Sequence, residues 1–177
     1  RQGMSLGLMA RRADRLAEVA GACGPDTLAI IGDATSRADV AQLVGQVIAR
    51  FGHIDVWINN VGQGITRPPS QLTDDDVDDM MRINVKSALY GMQEVLPHFK
   101  ARGQGHVINV SSVLGRIPMA TFRSAYVGAK HFLNALTITF RDEVQQTHPG
   151  IQFSLVSPPV VRTEFGLNAL HRSEEHT

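Results

Sequence analysis

Residues 54–62 read Ile54-Asp55-Val56-Trp57-Ile58-Asn59-Asn60-Val61-Gly62. The stretch from Ile54 to Ile58 is a largely apolar run of strand length, and it passes without a break into a polar turn. A short apolar run bounded by turn residues is the pattern of a strand buried inside a sheet. Working upstream, the same alternation of strand and helix recurs. Thr27 to Ile31 is another apolar run, and Asp33 to Ser36 then supply cap-type residues ahead of a helix. In that helix Val40, Leu43, Val44, Val47 and Ile48 share one face, and Gly52 stops it. Ser5 to Ala10 is a further strand. Arg12 to Ala22 follows as a helix with Leu16 and Val19 on one face, closed by Gly21 and the Gly24-Pro25 pair.

Downstream of Gly62 the chain loops from Gln63 to Gln71, where Pro68-Pro69 forbids a continuous helix. Thr73 followed by Asp74, Asp75 and Asp76 reads as an N-cap with acids in the first turn, favourable to the helix dipole. One long helix is predicted from there to about Lys100. Gly103 and Gly105 turn the chain into a fourth strand, His106 to Ser111. Ser124 is placed to cap a second long helix ending near His148-Pro149-Gly150. Ile151 to Ser157 is a fifth strand, ended by Pro158-Pro159. Apolar strands joined by amphipathic helices predict an α/β fold, a doubly wound parallel sheet buried on both faces, with right-handed crossovers. Residues 1–171 read as one partial domain. Arg172 to Thr177 are expected to be a non-native tail.

Bulk composition excludes several function classes. The 177 residues are 43% hydrophobic and 19% charged, which suits one soluble domain with a full core. Seventeen basic side chains balance seventeen acidic ones, so no nucleic-acid or anionic membrane partner is indicated. No apolar run approaches the roughly 20 residues that span a bilayer. The single Cys23 rules out an internal disulfide framework and is compatible with a reducing cytosol, so a cytoplasmic location is expected. The seven histidines have no Cys or carboxylate neighbours at ligand spacing, and no metal is expected.

The chemistry-bearing residues cluster in the second half of the chain. Tyr126 and Lys130 stand four apart on a predicted helix and share a face. A phenol has a reference pKa of about 10, so it is a poor base at neutral pH unless a nearby ammonium favours the phenolate. Lys130 is expected to lower the tyrosine in this way, making Tyr126 a usable proton donor and acceptor. Taken alone, such a pair is also what chance puts on a helix surface. Ser112 ends the fourth strand, just before Val113-Leu114-Gly115. In a doubly wound sheet, ligands sit beyond the carboxyl ends of the strands. A hydroxyl there could hold a substrate oxygen while Tyr126 moves its proton. Ser111 is the obvious competitor for that role. Asn59-Asn60-Val61-Gly62 occupies the matching end of the preceding strand, and Asn84 lies in the long helix between them.

In this order, Asn-Asn-x-Gly, an Asn within Arg82-Ile83-Asn84-Val85, Ser-Ser-Val-x-Gly and Tyr-x-x-x-Lys resemble the short-chain dehydrogenase/reductase superfamily, in its shorter-chain core branch. The resemblance covers roughly residues 1 to 165, and the ordered set is specific where each motif alone is not. It implies a Rossmann fold in which Tyr126 is the general acid/base and Ser112 positions the substrate carbonyl or hydroxyl. Lys130 would lower the tyrosine pKa and hold the nicotinamide ribose, and Asn84 would support a water linking that lysine to solvent. Asn59, Asn60, Val61 and Gly62 would lie beside the adenosine side of the cofactor, with Asp33 and Ala34 flanking the adenine. Val161 and Thr163 would meet the nicotinamide carboxamide. The implied reaction is a hydride transfer between a nicotinamide and a small alcohol or carbonyl substrate. Copies of family members commonly pair through the long helices, which implies a homo-oligomer.

Charge argues the choice of cofactor. NAD-selective sites place a carboxylate at the end of the second family strand to take the ribose 2′-hydroxyl. Here that position is Ala10, followed by Arg11 and Arg12, and a guanidinium binds a 2′-phosphate through charge-assisted hydrogen bonds. NADP(H) is therefore expected, with Arg11 the nearer contact. Three features depart from the family pattern. The first strand and glycine-rich phosphate loop belong ahead of Arg1, Pro159 stands where the family usually has Gly, and Ser112 to Tyr126 is one residue longer than the commonest spacing. They keep open a non-catalytic fragment or cofactor-binding scaffold of the same fold. An extended-branch sugar-nucleotide epimerase or dehydratase shares only the Tyr-x-x-x-Lys element.

Overall fold

The computed structural model describes residues 3–159, 165, 169 and 170. Strand and helix alternate as the apolar runs predict: β1 Leu6–Ala10, α1 Ala13–Cys23, β2 Thr27–Ile31, α2 Arg37–Phe51 and β3 Val56–Asn59. Then come α3 Asp74–Met81, α4 Ser87–Arg102, β4 Gly105–Val110, α5 Ser124–Gln145 and β5 Ile151–Val156. Every strand pairing is parallel. β1 pairs with β2, with Ala10 opposite Ile31; β3 pairs with β4 and β4 with β5, with Asn59 opposite Asn109 and Val110 opposite Val156. The described strands thus form a pair and a triplet, and β1, β2, β3 and β5 each leave one edge unpaired among them. The α/β class, Rossmann-like with helical crossovers between parallel strands, is as the sequence predicts.

One apolar core joins the two groups of strands. Ile30 of β2, Val107 of β4 and Ile151 of β5 meet Leu43, Val44 and Val47 of α2, Met92, Val95 and Phe99 of α4, and Val144 of α5. Glycines allow the closest approaches. A Cβ at Gly7 would strike Val47, one at Gly91 would strike Trp57 and Asn59, and one at Gly105 would strike the Phe99 ring.

The expectation that the strands are buried on both faces is not met. Trp57 and Asn59 face α4, while Val56 and Ile58 on the other side of β3 are 47% and 58% exposed. Ile31 and Val156 are exposed in the same way. The reason is topological: α2, α4 and α5 all contribute to one core on one face, while α1 packs on β1 and β2 and α3 packs against α5. Helix α1 buries Leu16 but leaves Val19 exposed, and it runs through Gly21 to a cap at Gly24, whose positive φ favours glycine.

The predicted long helix over 73–100 is also modified. Thr73 and Asp76 form a reciprocal capping box, as the Thr-Asp-Asp-Asp run foretells. Between α3 and α4, however, Arg82–Lys86 forms a π turn. The wider turn carries Asn84, and insertions of this kind are frequent at functional sites. Ser124 does not cap α5. It is the first helical residue, after a 3₁₀ turn at Thr121–Arg123, and its buried hydroxyl has no hydrogen-bond partner among the described residues.

A polar network crosses the apolar core just below the strand ends. Asn59 Nδ2 donates to Asn109 Oδ1 at 2.7 Å and to the Ala88 carbonyl of α4 at 3.3 Å. Trp57 Nε1 donates to Asn59 Oδ1 at 2.8 Å, and Asn109 Nδ2 donates to Thr137 Oγ1 of α5 at 2.8 Å. Asn109 is fully buried. Removing one member of a buried network leaves its partners unsatisfied. Asn109→Ala should therefore destabilise the fold by about 2–3 kcal/mol, read as a lower urea midpoint at unchanged m-value.

Candidate active site

The site is assembled at the carboxyl end of β4 against the first two turns of α5. Val110 ends the strand, and Lys130 Nζ donates to its carbonyl at 3.1 Å. The lysine is 2% exposed, and burial pushes its pKa down to about 8. One turn earlier on α5, the buried Tyr126 faces Ser112, whose side chain acts to lower the tyrosine pKa. Burial raises the tyrosine pKa above its ordinary value, against smaller lowering effects of the Ser112 side chain and the Arg123 charge. The sequence-based expectation that Lys130 depresses this tyrosine is therefore reversed in net direction. Desolvation of the phenolate outweighs the favourable contacts, and the amine lies 5.7 Å from the ring centre.

Ser112 and Ser111 separate cleanly. Ser112 caps a 3₁₀ turn at Val113–Gly115, accepting from the Leu114 N–H at 3.2 Å, and faces Tyr126. Ser111 is buried, and its hydroxyl donates to Asn134 Oδ1 at 2.6 Å. The turns at Val113–Gly115 and Thr121–Arg123 lie between Ser112 and Tyr126.

Asn84 reaches the same place from the π turn. It is 1% exposed; its Oδ1 accepts from the Gln63 N–H at 3.1 Å, and its Nδ2 donates to the Gln63 and Met80 carbonyls. The side-chain amide is thus committed to clamping the loop after β3. Gly62 lies where Asn84 and Lys130 converge: a Cβ there would sit 3.1 Å from Asn84 Oδ1 and 3.4 Å from Lys130 Nζ.

A cleft of about 520 Å³ opens beside this centre, at the ends of β1, β2 and β3. Arg11, Arg12, Asp33, Ala34, Asn60, Val61 and Gly62 line it. Asn59 is not among its lining residues: its side chain is turned under the sheet into the network with Asn109 and Trp57, which gives it a structural part. Alternation along the strand sends neighbouring asparagines to opposite sides. Burial raises the Asp33 pKa, but hydrogen bonds from the Thr35 N–H and hydroxyl and the charges of Arg11 and Arg82 outweigh it, leaving the carboxyl below the ordinary aspartate range.

Sequence reasoning missed Arg82, whose guanidinium donates to Thr35 Oγ1 at 3.0 Å and pairs with Asp79 on the cleft rim. Its position two residues before Asn84 was the available signal. Met119 and Phe122 are 77% and 51% exposed. Phe165 stacks against Tyr126 with ring centres 5.8 Å apart. Val161 and Thr163 lie outside the described residues.

A family model for short chain dehydrogenases matches residues 1–173. The chain belongs to that family. An uncharacterised oxidoreductase of Staphylococcus epidermidis is 32% identical over 92% of this chain and 69% of its own length. Among solved structures, an alcohol dehydrogenase from Thermococcus sibiricus complexed with 5-hydroxy-NADP is 26% identical, with a TM-score of 0.84 over 99% of this chain and 74% of that one. A Burkholderia phymatum family member in complex with NAD, 23% identical, has a TM-score of 0.89 over 97% of this chain and 62% of its own, and so shares the fold. This chain spans about two thirds of the length of these relatives. The family is one of oxidoreductases, and its solved members hold either phosphorylated or unphosphorylated nicotinamide cofactors. No described helix is long and apolar enough to cross a membrane.

Lys130 gives the site a pH signature. Its folded pKa lies below that of an unfolded lysine, so between the two values the unfolded chain binds more protons and stability rises with pH. From pH 8 to pH 10, urea unfolding should show a gain of about 2 kcal/mol. Lys130→Met should flatten that rise; an equal rise in the variant would assign it to another group.

Proposed function

We propose that the protein carrying this chain is an oxidoreductase that uses NADP(H) to interconvert a secondary alcohol and a ketone of small size. The observation that carries this reading is the placing of Tyr126 against Ser112, one helical turn from the buried Lys130 that is tied to the end of β4. In the reducing direction Tyr126 gives its proton to the carbonyl oxygen as that oxygen gains negative charge, and Ser112 donates a hydrogen bond to the same oxygen. In the oxidising direction the phenolate takes the proton of the alcohol. Burial keeps Tyr126 protonated at neutral pH, which suits carbonyl reduction without prior ionisation. Lys130, with a pKa of about 8, retains substantial ammonium character there, and that charge favours the phenolate left after proton transfer. The cofactor supplies or accepts the hydride.

The residues present fit the nucleotide. Gly62 leaves the floor of the cleft without a Cβ where Asn84 and Lys130 approach, and Arg11 and Arg12 are exposed on its wall after Ala10. No carboxylate stands at Ala10 to repel a 2′-phosphate. Arg11 and Arg12 would hold that phosphate, Asp33 and Ala34 the adenine, Asn60 to Gly62 the adenosine side, and Tyr126 with Lys130 the nicotinamide ribose. Pairing of copies through the long helices belongs to the same reading, supported by the exposed Phe132 and Ile138 on α5.

With the full-length protein, NADPH oxidation against a panel of ketones should give turnover that falls by roughly 10²- to 10⁴-fold in Tyr126→Phe. Full activity in that variant would sink the acid/base assignment. Arg11→Asp should weaken NADPH binding at least about tenfold more than NADH binding, as expected for losing one charge-assisted contact. Equal weakening of both cofactors would remove the basis for NADP(H).

A further inference from the structure

Asn134 lies one turn beyond Lys130 on α5, outside every motif that identifies the family. Tyr126, Lys130 and Asn134 follow at four-residue steps, so they rise along one face of the same helix. The Asn134 side chain is half-buried, and both ends of its amide are engaged. Oδ1 accepts the Ser111 hydroxyl at 2.6 Å, and Nδ2 donates to the Gly115 carbonyl at 2.8 Å. These two partners bracket Ser112: Ser111 precedes it, and Gly115 closes the turn that Ser112 caps.

An asparagine amide suits this position because it accepts on one side and donates on the other. A carboxylate could take the Ser111 hydroxyl but would face the Gly115 carbonyl lone pairs. The seat is also tight. A Cβ on Gly115 would stand 2.9 Å from Ser111 Oγ, 3.0 Å from Asn134 Nδ2 and 3.0 Å from the Lys130 carbonyl oxygen. Backbone bonds from the Ser111 N–H to Val156 and from the Val113 N–H to Pro158 tie the segment to β5 and its end. Asn134 supplies side-chain ties from that segment to the helix that carries Tyr126.

We propose that Asn134 is a positioning residue for the reaction: by holding Ser111 and Gly115 against α5, it sets the Ser112 hydroxyl in register with the Tyr126 hydroxyl. The inference rests on the oxidoreductase reading above. Ser112 sits on a turn and Tyr126 on a rigid helix, and a misplacement of about 1 Å between reacting groups can cost on the order of 100-fold in rate. Asn134 never touches the substrate in this scheme and acts only through Ser112.

The test is a double-mutant cycle in the full-length protein, with Asn134→Ala, Ser112→Ala and both together. Asn134→Ala should lower kcat by roughly 10- to 100-fold with NADPH affinity unchanged. The double variant should be no slower than Ser112→Ala, because both changes remove the same hydroxyl from its place. Multiplying effects, or wild-type kcat in Asn134→Ala, would overturn the proposal. A second readout needs no turnover: ionisation of Tyr126, followed by tyrosinate absorbance against a Tyr126→Phe reference. Loss of the lowering effect of Ser112 should move that ionisation upward in Asn134→Ala as it does in Ser112→Ala. An upward move in Ser112→Ala alone, or additive moves in the double variant, would overturn the positioning role. Should Asn134→Ala not fold, Ser111→Ala deletes a single oxygen and should give a smaller change of the same kind; no change in either readout overturns the proposal. Absence of any NADPH- or NADH-linked turnover in the unmutated protein is a different result, which counts against the oxidoreductase reading whatever the titration shows.

Discussion

The rest of the site depends on one buried hydrogen bond, from Lys130 Nζ to the carbonyl of Val110 at the end of β4. An amine withdrawn from water is costly unless it is partnered, and its lowered pKa measures that cost. The bond fixes how far α5 slides along the strand. One turn back from Lys130, Tyr126 then arrives beside Ser112; one turn forward, Asn134 meets Ser111 and Gly115. A helix has a fixed rise, so one register contact locates all three side chains.

Beneath that contact, buried amides do work that apolar packing alone could not. Asn59 and Asn109 face each other across β3 and β4, and between them they reach α4 and α5. Hydrogen bonds have narrower geometry than apolar contacts, so the network holds the strand ends to the helices in one arrangement. The π turn at Arg82–Lys86 plays a related part. It brings Asn84 onto both backbone groups of Gln63, fixing the loop that carries Gly62 to the edge of the cleft.

The cleft beside the cluster of Asn84, Ser112, Tyr126 and Lys130 is marked by charge. Arg11, Arg12 and Arg82 line it, Asp79 pairs with Arg82, and Asp33 is held ionised by Thr35 and by the charges of Arg11 and Arg82. Such a wall favours an anionic ligand.

The sequence by itself determined the order and kind of the elements, the family, and the cluster of Asn84, Ser112, Tyr126 and Lys130, which the structure brings to one strand end. Hydrophobic period and ordered motifs are properties of neighbouring residues, so they can be read along the chain. What depended on distant partners could not. Asn59 and Asn60 are adjacent and identical, yet one is turned into the core and the other lines the cleft, a choice made by the pleat of β3 and the approach of α4 at Gly91. Ser111 and Ser112 could be told apart only when Asn134 came to face one of them. The net direction of the Tyr126 shift followed from burial, which no spacing reveals. The uncovered face of the strands likewise reflects which helices share which side. In each case the deciding quantity was access to water or a partner far away in sequence, and only the tertiary structure fixes either.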